Sequence, residues 1–91
     1  MIRYAEDIVK RIDKGIISKN IFLHINNAFM AIDITKDLNL FDIKQLKTNK
    51  EASRIYYRLR KGKYRAIFYI ENNDIMVVAL DKREDIYQKW Q

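Results

Sequence analysis

Ala5, Ile8, Val9 and Ile12 recur at i, i+3, i+4 and i+7. That is one stripe of a 3.6-residue period, and it predicts an amphipathic helix over about residues 4–14. Asp13-Lys14-Gly15 ends the pattern, with Gly15 as the C-terminal stop. Ser18 reads as the N-cap of a second helix. The stripe Ile21, Ile25, Ala28, Phe29 and Ile32 carries that helix to about residues 33–36. Two helices joined this closely are expected to pack as an antiparallel hairpin. Met1–Tyr4 has room for a short preceding strand. Residues 37–50 read as a mostly irregular connection, anchored by Leu38, Leu40, Phe41, Ile43 and Leu46.

Beyond that connection the period drops to two. In RIYYRLR, Ile55, Tyr57 and Leu59 alternate with Tyr56, Arg58 and Arg60. YRAIFYIE, an Asn72-Asn73 turn and DIMVVALD follow. Three strand-like runs separated by tight turns predict an antiparallel meander. KREDIYQKW closes the sequence as a short helix or tail. The expected fold is α+β in a single domain over 1–91: a helical hairpin, preceded by a possible short strand, packed on an antiparallel meander.

Charge changes this picture more than composition does. The net charge is +6, and nine of the 18 Lys and Arg residues fall between Lys44 and Arg65, opposed there only by Glu51. The side of the sheet turned away from the helices, or one end of it, is therefore expected to be basic. Such a concentration suits nucleic acid, an anionic surface or an acidic protein partner. The sequence holds no cysteine, so a disulfide scaffold, a thiolate zinc site and a cysteine nucleophile are excluded, and a reducing cytoplasm is the expected setting. No run approaches the length of a membrane span and the N-terminus lacks a secretory apolar core, so neither is expected. No Gly-rich phosphate loop or nucleophile elbow occurs, and His24, the one histidine, reads as a helix-surface residue.

The run Tyr57 to Phe68, YRLRKGKYRAIF, resembles the hairpin of the RelE/ParE toxin superfamily: Tyr-Arg-Leu-Arg-x-Gly-x-Tyr-Arg-x-Ile followed by Phe or Tyr. Ile43-Lys44-Gln45-Leu46-Lys47 resembles the Lys-x-Leu-Lys that leads into it, and Lys82-Arg83-Glu84-Asp85-Ile86-Tyr87 resembles the family's terminal His-Arg-x-x-Val/Ile-Tyr. The likeness spans about half of the chain. It implies a toxin of a type II toxin–antitoxin pair, RelE-like, that acts as a metal-independent, cofactor-free endoribonuclease on ribosome-bound mRNA. The same superfamily includes ParE-like inhibitors of DNA gyrase that cut nothing, and a non-catalytic basic module that binds RNA or protein is the third possibility.

Carried over position by position, Arg65 corresponds to an expected phosphate or transition-state ligand. Arg83 and Tyr87 match the terminal Arg and Tyr, where the Tyr stacks on or orients the substrate. Lys82 stands where many relatives carry His, and so becomes the candidate proton acceptor. Tyr56 stands where RelE carries a lysine implicated in proton abstraction. Arg58 shares a face with Tyr56 and Arg60, and with Lys61, Lys63 and Lys47 these residues are expected to contact RNA. No metal site is expected. The implied partners are the ribosome, mRNA and an acidic antitoxin whose helix or strand covers the basic site.

Overall fold

The computed structural model describes residues 1–46 and 54–82. Its elements run β1 (Ile2–Tyr4), α1 (Glu6–Asp13), α2 (Lys19–Thr35), a 3₁₀ turn (Leu38–Leu40), β2 (Asp42–Gln45), β3 (Tyr57–Lys61), β4 (Tyr64–Glu71) and β5 (Asp74–Asp81). Both predicted helices form close to their expected bounds. α1 carries Glu6 and Asp7 in its first turn and Lys10 and Arg11 in its last, matching the helix dipole at both ends. In α2 the Ser18 Oγ accepts from the Ile21 N–H at 3.2 Å, satisfying one of the orphan donors of the first turn. Its C-terminal end is closed by Lys36 in the left-handed conformation, whose N–H donates to the Ile32 carbonyl at 2.7 Å.

The three predicted strands are β3, β4 and β5, and they pair antiparallel as expected. Asn72 and Asn73 both adopt positive φ, 51° and 67°. Two consecutive positive-φ residues form the turn whose twist matches a hairpin, and Asn tolerates it. The sheet is larger than a meander, however. Its order is β1-β5-β4-β3-β2, with β1 parallel to β5 (Ile2↔Ile75), so it is mixed and five-stranded.

β2 corrects the reading of residues 37–50 as mostly irregular. Asp42–Gln45 pairs antiparallel with β3, placing Asp42 opposite Arg60 and Lys44 opposite Arg58. Of its four residues only Ile43 is apolar, and it packs against the core while the other three are exposed. An edge strand needs one buried side chain and one ladder, so it leaves almost no period-two signal. The expected helix or tail over residues 82–90 lies outside the described residues beyond Lys82.

The helices cover one side of the sheet. Ile8 of α1 and Ile25, Phe29 and Ile32 of α2 meet Leu59, Ala66, Phe68, Val77 and Leu80 in one cluster, each at most 2% exposed. The Phe29 and Phe68 rings meet edge-on at 5.1 Å. Burying each large side chain contributes about 1.5–3 kcal/mol, so this cluster fixes which side of every strand faces inward. Residues at the alternate positions are thereby committed to the opposite face, which is helix-free among the described residues. A register shift between Ile67 and Phe68 moves Ile67 opposite Ala79 and Phe68 opposite Val77, a bulge that increases local twist.

Candidate nucleic-acid interface

Alternation puts Arg58 and Arg60 of β3 on the helix-free face, together with Asp42 and Lys44 of β2 and Arg65, Ile67, Tyr69 and Glu71 of β4. Arg60 lies directly opposite Arg65, and Arg58 opposite Lys44. Four cations thus converge from three adjacent strands. Tyr56, one residue before β3, joins them through an edge-on contact with Tyr69 at 5.6 Å.

Arg65 is buried, 7% exposed, although it sits in a strand that is otherwise apolar up to Glu71. Its Nη1 donates to the carbonyls of Gly62 and Tyr64, both at 3.3 Å, which ties the guanidinium to the turn that precedes it. Asp81 is its register partner across β5. The Asp81 carboxylate lies 3.8 Å from Arg11 and accepts from the Lys82 N–H at 2.7 Å. Lys82 itself is exposed, at the end of β5 next to the strand position that faces Arg65.

Arg58 is also largely covered, its side chain 14% exposed. One terminal nitrogen, Nη2, donates to Asp42 Oδ1 at 2.7 Å, while its buried Nε has no hydrogen-bond partner. Neither Lys44 nor Arg60 has an acidic partner among the described residues. At the other end of the face, the Arg54 guanidinium stacks over Tyr69 at 4.3 Å from the ring centre and reaches Glu71 at 3.7 Å. The hydrogen bond it donates to the Tyr56 side chain is the main reason its pKa lies above the ordinary arginine value. Arg54, Tyr57, Tyr69 and Glu71 line a cleft of about 310 Å³ there.

Lys61 and Lys63 are not brought to this face. Lys61 continues the inward alternation of Tyr57 and Leu59, and its ammonium lies 5.0 Å from the Phe41 ring. With Lys63, His24 and Tyr64 it lines a mostly apolar cavity of about 350 Å³ between α2 and the β3–β4 turn. Sequence alternation already assigned Lys61 to that side, but the basic run as a whole obscured it. Lys47, Arg83 and Tyr87 lie outside the described residues. Sequence reasoning missed Asp42 and Lys44 as neighbours on one face of β2, opposite Arg60 and Arg58. Their signal was the alternation around Ile43.

A mixed sheet backed by two helices is an arrangement seen in known structures. No family model and no curated protein matches the chain. Among solved structures, the RelB–RelE antitoxin–toxin complex of Methanococcus jannaschii contains a chain that is 24% identical, with 98% of this chain and 99% of that chain covered and a TM-score of 0.67. The archaeal RelE–RelB complex of Pyrococcus horikoshii OT3 is similar at 20% identity, covering 91% of this chain and 93% of that chain, with a TM-score of 0.62. The fold of this chain is therefore RelE-like.

Proposed function

We propose that this chain is the toxin of a toxin–antitoxin pair and that it cleaves mRNA on the ribosome without a metal. The observation that carries this reading is the helix-free face, where Lys44, Arg58, Arg60 and the buried Arg65 converge beside Tyr56 and Tyr69. The likeness to chains in RelB–RelE complexes supports both the toxin role and an antitoxin partner. A face built of fixed cations suits a phosphate, and more so a phosphorane on which negative charge grows. In the reaction the 2′-oxygen attacks the adjacent phosphorus, its proton is accepted by the protein, and the 5′-oxygen leaves and is protonated. Arg65, anchored to its own turn, is a preorganised ligand for that charge, and Arg58 and Arg60 hold the flanking backbone. Lys82, at the end of β5, is the described candidate to move the proton. Tyr56 offers a ring against which a splayed base can stack. An acidic antitoxin segment laid on the same face would cover it. Ribosomes as the target place the protein in the cytoplasm.

The test is to express the chain from a tightly controlled promoter and map the 5′ ends of a translated reporter mRNA by primer extension. Cuts in frame with translation are expected. They should be absent with Arg65→Ala and absent from a reporter that lacks a start codon. Growth arrest without cuts would overturn the nuclease reading and favour a toxin that only binds its target, as in gyrase inhibition. Neither arrest nor cuts would leave a basic binding module.

A further inference from the structure

The basic face carries an acid at the border of its cations, on the edge strand β2, and that acid is placed as a ligand would be. β2 sets Asp42 opposite Arg60, yet its carboxylate bonds the diagonal neighbour, Arg58, at 2.7 Å. The two partners are unequal. Arg58 is held by its surroundings, 14% exposed, whereas Asp42 is 56% exposed on an edge strand. Fixing the guanidinium and leaving the carboxylate exposed makes the acid the member free to move. The contact is also incomplete, because it engages Nη2 alone and leaves the buried Nε without an acceptor. A covered guanidinium with an unused donor is under-satisfied, and an anion with more oxygens than one carboxylate edge supplies would bond it better. Lys44 and Arg60, flanking the contact without acidic partners among the described residues, add attraction for a second negative charge.

Resting on the reading of this face as a phosphate-binding surface, we propose that Asp42 is a resident anion for Arg58. Its carboxylate occupies the seat of a substrate phosphate and swings out when the phosphate binds. Asp42 thereby makes Arg58 selective. An isolated anion displaces a carboxylate already in place only at high concentration, while a nucleic-acid strand held at several points does so readily. In the free protein the same carboxylate neutralises a largely covered cation that would otherwise be costly to bury.

The test uses inorganic phosphate as the first probe and a fluorescein-labelled single-stranded RNA 12-mer as the second. Phosphate is followed through the Arg58 Nε–Hε cross-peak in NMR spectra of the full chain, and RNA by anisotropy. Asp42→Asn is expected to tighten both by about three- to fivefold, the scale of one partly exposed ion pair. In an Arg58→Gln background the same change should alter RNA affinity by less than about twofold, because the competition has lost its object. Unchanged or weaker phosphate binding in Asp42→Asn would overturn the proposal and make Asp42 a support for Arg58. An equal gain in the Arg58→Gln background would overturn it too, showing only a general effect of surface charge. Phosphate results as expected with no RNA binding by any variant would sustain the anion seat and remove the RNA reading of the face.

Discussion

In the proposed function, Arg65 is structural and functional at once. Its side chain is covered, and two of its bonds go to carbonyls of its own turn, which orient the guanidinium. A lysine there keeps the charge but cannot hold two carbonyls and a phosphate in one plane. Arg65→Lys should therefore retain the fold by circular dichroism and lose reporter cleavage by about 10- to 100-fold, the scale of one charge-assisted hydrogen bond. Tyr4 is the opposite case, a purely structural polar group. Its hydroxyl donates to Asn26 Oδ1 at 2.8 Å, and burial raises its pKa well above the ordinary tyrosine value. The sign follows directly. The folded state favours the neutral phenol, so Tyr4 contributes stability below the unfolded value near 10 and loses it as pH rises toward the folded value. Denaturant unfolding followed against pH should show an alkaline loss of stability above about pH 10 that is smaller in Tyr4→Phe. The same variant should cost about 1 kcal/mol at neutral pH, because Asn26 loses its donor.

At the scale of elements, legibility in the sequence tracks how much each segment buries. α1, α2, β4 and β5 place three or more apolar side chains on a period, and those were readable. β1 contributes only three residues and was readable just as a possible short strand, while β2, with a single inward side chain, Ile43, left no pattern; both exist because a neighbouring strand supplies the ladder. The cost of missing β2 fell on the site. Read as a loop, Lys44 was only a charge and Asp42 had no place at all; read as a strand, both stand on the basic face. Turn chemistry, by contrast, was fully local. Asn72-Asn73 announced a hairpin, and both residues take the left-handed conformation that Asn tolerates better than most. Asn73→Ala should destabilise the chain by about 1–2 kcal/mol in denaturant titration, the cost of a Cβ in that region, and Asn73→Gly should not.

At the scale of the molecule, the helices and the cations divide the sheet between them. One side buries Phe29, Leu59, Phe68 and Val77; the other sets Lys44, Arg58, Arg60 and Arg65 side by side, next to Asp42 and Asp81. Alternation in the hairpin run put Arg58 and Arg60 on one face and Lys61 on the other, and the inward packing of Leu59 and Phe68 fixes which of those faces meets the helices. The central claim is that this face binds the phosphates of a single strand. It is tested most directly by the affinity of the chain for a single-stranded RNA 12-mer measured across salt concentration. Four cations each releasing one counterion predict a slope of about −3 in log affinity against log salt, falling by roughly one in Arg60→Gln. An affinity flat from low to high salt, or a slope that Arg60→Gln leaves unchanged, would contradict a phosphate-binding face.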